Sequence, residues 1–191
     1  MIHPKFNKLA WITLALAICV IGFGAYVRLS HAGLGCPDWP VCYGKLTWPK
    51  HDVHIAAANE AFPERPVEVP KAWKEQVHRH IAAILGLLVL GLALLATRSR
   101  PRAWKILLSS CALILGAIFL YVREHYVASS VVVIVAEAAL MASAWRWSNS
   151  DMARVATFTL GFIIFQAMLG LWTVTWLLKP IVVMAHLLGG M

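Results

Sequence analysis

Five residues carry the chemistry to weigh first: Cys36, Cys42, Glu75, His78 and His186. His78 opens one long apolar run and His186 sits five residues past Ile181 in another. Two imidazoles at matched depth on different membrane helices have the types and placement to ligate a haem iron from both faces. The competing reading is a pair of hydrogen-bonded core histidines. Glu75 lies three residues before His78, so on a helix the two share a face. A carboxylate there can orient a ligand imidazole, act on a substrate, or simply stand at the interface. His80 points to another face and is the weaker ligand. Of the other histidines, His31 falls in a loop beside the first apolar run, and His3, His51, His54 and His125 fall in tails or loops.

The cysteines raise a second chemistry. Cys36 and Cys42 bracket Pro37 and Pro40 in "LGCPDWPVCYG", a stretch able to turn back on itself. In an oxidising compartment such a pair forms a disulfide. A loop this small gains little entropy from a crosslink, so a redox role and a local staple both stay open. Cys19 and Cys111 fall inside apolar runs and read as buried packing residues.

The elements that must position these groups follow from composition. The chain has 191 residues, 60% hydrophobic and 14% charged, with mean hydropathy +0.71. That excludes an ordinary soluble domain and describes a polytopic membrane protein. Apolar runs over 9–27, 81–97, 106–122, 127–145 and 155–178 each approach the roughly 20 residues a span needs. The second is expected to begin as a helix near Trp73. A sixth, 181–191, has length for about half a bilayer core, so the sequence reads as a fragment, a truncated gene product, or a half that needs a partner. The expected fold is an all-α polytopic membrane bundle of five full transmembrane helices plus a truncated sixth.

Charge sets the expected orientation. Lys5, Lys8, Arg98, Arg100, Arg102, Lys105, Arg146 and Arg154 fall on one side; the short loops opposite hold only Arg123 and Lys179. The net charge of +8 is therefore a cytoplasmic-side bias rather than a nucleic-acid surface. This places the N-terminus in the cytoplasm and the loop 28–77 outside, in a plasma-membrane protein. Glu137 lies inside the fourth run, to be read as protonated, as a proton site, or as paired with Ser129 or Ser130 two turns away. Trp39, Trp48, Trp73, Trp104, Trp145 and Trp147 fall in loops or near span ends, where interfacial anchoring is the ordinary role.

Three stretches resemble the haem A synthases, membrane proteins of cytochrome oxidase assembly: "GAYVRLSHAGLGCPDWPVCYG", "EQVHRHIAAILG" and "QAMLGLWTVTWLLKPIVVMAHLLGG". They occur in the order expected for that family and cover 1–97 and 155–191. The resemblance implies two tandem four-helix bundles, the first holding substrate haem O and the second a haem b. It implies oxidation of a haem methyl group to a formyl, giving haem A. His78 and His186 would then be the haem-iron ligands, Glu75 the catalytic acid of the E-x-x-H motif, and Cys36–Cys42 the loop pair that moves reducing equivalents. A non-catalytic haem-binding protein for assembly or electron transfer is the alternative. On this view residues 1–191 are the haem-binding bundle, 98–154 are an insertion of two extra spans, and the C-terminal bundle with its haem b site lies outside the sequence. An even number of extra spans preserves the side on which His186 sits. Expected partners are membrane lipid, haem O, an unidentified electron donor, and either the C-terminal half or further copies of the chain.

Overall fold

A computed structural model describes residues 4–148 and 151–191; His3 lies outside them. Over the described residues the fold is all helical: α1 (Pro4–Leu29), α2 (Asp52–Ala61), α3 (Val69–Thr97), α4 (Pro101–Val122), α5 (Tyr126–Trp145), α6 (Met152–Thr175) and α7 (Pro180–Gly190). Five of these, α1, α3, α4, α5 and α6, are long and apolar enough to cross a membrane, with mean hydropathy of 1.8 to 2.3 over their most apolar windows. They are apolar around most of their circumference, as lipid-facing helices are. α7 has 11 residues. Proline opens both α4 and α7, at positions where its missing N–H costs nothing.

The second span begins as a helix at Val69, four residues before Trp73. The long loop differs from a plain connection, since it carries a ten-residue helix of its own, α2.

The chain divides into two compact units. One is formed by Met1–Trp11 with Gly86–Phe165 and the other by Ile12–Leu85 with Gln166–Met191.

In the first unit α4 and α5 form an antiparallel hairpin. The Ser129 hydroxyl donates to the Ala117 carbonyl at 2.8 Å, and the Ser110 hydroxyl to the Ala136 carbonyl at 3.4 Å. Ala103, Ala117, Ala136 and Ala144 are buried along the hairpin, small residues that let membrane helices approach closely. This corrects the expected pairing of Glu137. Ser129 bonds across the seam and Ser130 bonds back to the Tyr126 carbonyl, so neither hydroxyl meets the carboxylate. The hydroxyls take backbone carbonyls instead. The cysteine reading also changes: Cys19 is exposed on α1 and Cys111 half-buried on α4, so neither is a core packing residue.

The second unit contains the loop. Cys36 and Cys42 form a disulfide with Cα atoms 4.8 Å apart. Cys36, Cys42, Tyr43, Ala58 and Ala72 make a small buried core, packed by Trp48, Phe62 and Val67. Trp48 therefore serves the loop's own core rather than an interface. A two-residue turn reverses the chain, with Cys42 and Lys45 exchanging backbone bonds of 2.8 and 3.2 Å. Its central residues, Tyr43 and Gly44, both have positive φ, 53° and 73°, as the tightest hairpins require. The Asp38 carboxylate accepts from both of their backbone N–H groups, at 2.7 and 2.6 Å. That local bonding offsets the cost of holding Tyr43 in the left-handed region.

Candidate functional site

α3 supplies the centre of the site. Glu75 is 5% exposed, a buried carboxylate rather than an interfacial one. Its Oε2 accepts the Cys36 backbone N–H at 2.9 Å, and its Oε1 accepts from Arg79 Nη2 at 2.5 Å. Arg79 lies one turn further along the same helix face. Its other terminal nitrogen, Nη1, donates to the carbonyls of Asp38 and Val41, each at 2.7 Å. One guanidinium thus ties the carboxylate to both arms of the disulfide loop. Gln76 adds a fourth tie, its Nε2 donating to the Leu46 carbonyl at 2.8 Å. The loop can come this near because residue 35 is glycine. A Cβ there would stand 2.6 Å from the Lys71 carbonyl carbon and 2.8 Å from the Ala72 nitrogen.

His78 lies one turn beyond Glu75. Its ring stacks on Phe23, with centroids 6.3 Å apart and planes 27° apart. It also rests on α1 at Gly24, where a Cβ would meet Cε1 at 2.9 Å and Nε2 at 3.2 Å. His186 on α7 repeats this arrangement against α6, where a Cβ at Gly170 would meet its Cε1 at 3.3 Å. Each imidazole therefore lies over a bare stretch of neighbouring backbone. Nδ1 of both rings is buried without a hydrogen-bond partner.

Those observations test the fit to haem. A buried, unbonded imidazole nitrogen is costly in an apolar setting, and iron ligation is one way to satisfy it. Two such rings on different helices in one unit are a donor set whose chemistry fits haem iron. Among the described residues no group of three or more His, Cys, Asp or Glu could hold a bare metal ion. His80 is exposed on another face, as its spacing implied, and His31, His51, His54 and His125 are exposed too.

Comparison with known proteins decides the family. A family profile described as cytochrome oxidase assembly protein (COX15-CtaA) matches residues 7–122 and 123–191. The chain belongs to this family. A heme A synthase of Shewanella oneidensis is 38% identical over 186 residues, which cover 96% of this chain and 42% of that protein. The chain therefore spans less than half the length of the relative it matches. No solved structure matches it at comparable stringency.

Within this chain, the structure brings Glu75 and Cys36 into direct contact and puts His78 and His186 in one unit. Two groups escape a reading of the sequence. Arg79 has a signal there, as the i+4 partner of Glu75. Gln166 has none: its amide is buried on α6 with both Nε2 and Oε1 unpaired, packed against Gly189 of α7.

Proposed function

We propose that this chain is the substrate-haem half of a haem A synthase-like oxidoreductase, converting a methyl group of haem O to a formyl. The observation that carries the reading is the pair of half-buried imidazoles, His78 and His186, each with a buried, unpaired Nδ1 and each laid on a glycine. The bound haem would supply the iron and the oxidisable methyl group. This chain's own residues do the rest.

His78 and His186 would hold the iron, one from α3 and one from α7. Phe23 fixes the plane of His78 by stacking. Glu75 accepts a proton or stabilises positive charge as the carbon is oxidised. Arg79 and the Cys36 N–H hold that carboxylate in one orientation, so no reorganisation is needed at the moment of reaction. The buried Gln166 amide offers a donor and an acceptor to a polar substituent of the ring. With water supplying the oxygen, conversion of the methyl to a formyl releases four electrons and four protons, as two successive two-electron oxidations. The Cys36–Cys42 disulfide, one hydrogen bond from Glu75, is placed to accept one pair at each step by becoming a dithiol, which passes that pair to an external electron acceptor and returns to the disulfide before the next step.

The same reading extends to the surroundings. The chain sits in the plasma membrane with its N-terminus cytoplasmic and the disulfide loop outside, where the thiols can be reoxidised. Residues 98–154 form an inserted helical hairpin. A C-terminal bundle carrying haem b, or another copy of the chain, completes the electron path to an unidentified redox partner.

The test uses the full chain purified from membranes and loaded with haem. His78→Ala and His186→Ala should each abolish the six-coordinate spectrum. Unchanged spectra in both variants would overturn the ligand assignment. Supplied with the C-terminal portion of its relative, the chain should convert haem O to haem A, read by extraction and chromatography. Stable haem binding without conversion would instead support the non-catalytic reading.

A further inference from the structure

A second site lies in the first unit, among residues the haem chemistry does not use. Where α4 begins and α5 ends, the two helices enclose an open cavity of about 490 Å³. That is far more than a few waters fill and within the range of small-ligand sites. Arg100, Arg102 and Arg146 line it together with an apolar wall of Ile106, Ala139 and Ala142. Arg100 is held in place by the Asp151 carboxylate through Nη2 and by stacking 5.0 Å over Trp147. Its Nη1 is buried and has no hydrogen-bond partner. Arg100 also occupies the N-cap of α4 and gives no side-chain cap, so the first amides of a 22-residue helix carry no partner from it.

Three arginines line the cavity, only Arg100 is paired with a carboxylate, and its buried Nη1 has nothing to bond among the described residues. The missing group is an anion. Guanidinium forks fit phosphate oxygens in pairs, and the start of a helix favours the same charge. The wall decides between a soluble phosphate and an amphiphile. Ile106, Ala139 and Ala142 lead from the arginines onto helices whose outer faces expose Leu108 and Val135. A phosphate alone gains nothing from that surface, whereas an acyl chain does.

We propose that this groove binds an anionic phospholipid, its phosphate held by Arg100, Arg102 and Arg146 and its chain lying on Ile106, Ala139 and Ala142. The arginines are on the side that the charge bias assigns to the cytoplasm, and basic pockets between transmembrane helices recognise acidic headgroups there. The proposal does not rest on the function proposed for the imidazole pair.

The full chain, purified in uncharged detergent, is titrated with phosphatidylglycerol, phosphatidylcholine and inorganic phosphate, and bound lipid is counted by native mass spectrometry. One phosphatidylglycerol should bind at least tenfold more tightly than phosphatidylcholine. The pair Arg102→Gln and Arg146→Gln should erase that preference, while Arg123→Gln, at the other end of the hairpin, should keep it. Ala142→Trp, which fills the groove and leaves every charge in place, should also lose the lipid. Equal binding of the two lipids would overturn the proposal. So would unchanged preference in both the double variant and the Trp variant. Displacement of phosphatidylglycerol by millimolar inorganic phosphate would assign the site to a soluble anion instead.

Discussion

Glu75 Oε2 accepts the backbone N–H of Cys36 at 2.9 Å, across 39 residues of sequence. This bond joins a carboxylate on a membrane helix to one half of a disulfide. Its partner bond from Arg79 keeps the carboxylate's other oxygen occupied. The carboxylate is thus tied to the disulfide loop directly through Cys36 and indirectly through Arg79.

Glu75→Gln separates catalysis from positioning. Gln keeps the shape and most of the hydrogen bonding but loses the charge. The expected outcome is a chain that retains haem and loses turnover when completed by the C-terminal half. If Glu75 only supported His78, the variant would instead bind haem about ten- to a hundredfold more weakly. Retained haem A production would refute the catalytic role.

Arg79→Gln should unfasten the loop. Breaking a buried pair by removing one partner typically costs about 3–5 kcal/mol, and the Arg79 and Glu75 side chains are only 13% and 6% exposed. The Asp38 and Val41 carbonyls lose their donor as well. Limited proteolysis should cut within 36–68 in the variant and not in the parent. Arg79→Lys should fail to rescue, because an ammonium cannot reproduce the fork that spans three acceptors. Equal protease resistance in parent and variant would contradict the tie.

Gly24→Ala tests the seat of His78. The added methyl carbon would stand 2.9 Å from Cε1, so the ring must move. Haem affinity should fall by about tenfold or more, the scale of lost ligand support, with helicity unchanged. Gly22→Ala is the control, since nothing lies within 4 Å of its Cβ position. Loss of haem in the control alone would show that the ring does not depend on Gly24.

Thiol labelling checks the disulfide. In membrane-derived protein kept from reductant, Cys36 and Cys42 should resist alkylation, and both should react after reduction. Cys19, exposed on α1, should react in either case when the reagent is membrane-permeant. Free reaction of Cys36 and Cys42 before reduction would exclude the bridge.

Tyr43 gives the loop a dependence on alkaline pH. Burial, and then the nearby Asp38 carboxylate, hold its phenol above the ordinary value of 10.0. The folded state thus favours the neutral phenol, whose oxygen donates to the Pro66 carbonyl at 3.3 Å. That stability is fully present below the unfolded value and is lost as pH rises through the higher folded one. Phenolate absorbance should show one tyrosine titrating later than the rest, absent in Tyr43→Phe. Tyr43→Phe should also remove part of the loop's alkaline destabilisation. Coincident titration of all the tyrosines would count against this.

Part of the site is legible in the sequence. Glu75 and His78 stand a turn apart on one helix, and helical geometry alone puts such residues on a common face. The Cys36–Cys42 pair announces itself by closeness in sequence. Gln166 and Gly170 give no such signal, because their meaning depends on what α7 lays against them. Glu137 shows the converse: hydroxyls two turns away resemble partners, yet backbone carbonyls claim them.

By itself the sequence determined five long apolar helices, because spanning a bilayer depends on local length and hydropathy. It determined the disulfide's two members and the turn-by-turn spacing along α3 for the same reason: each is a relation between near neighbours. Only the tertiary structure decided that Glu75 is buried under the loop, that Arg79 binds both arms of the disulfide, and that each candidate ligand histidine lies on a glycine of another helix. These are contacts between residues some 16 to 54 positions apart. Nothing in a short window encodes them, since they arise when packing brings distant backbone close enough for a buried polar group to need a partner.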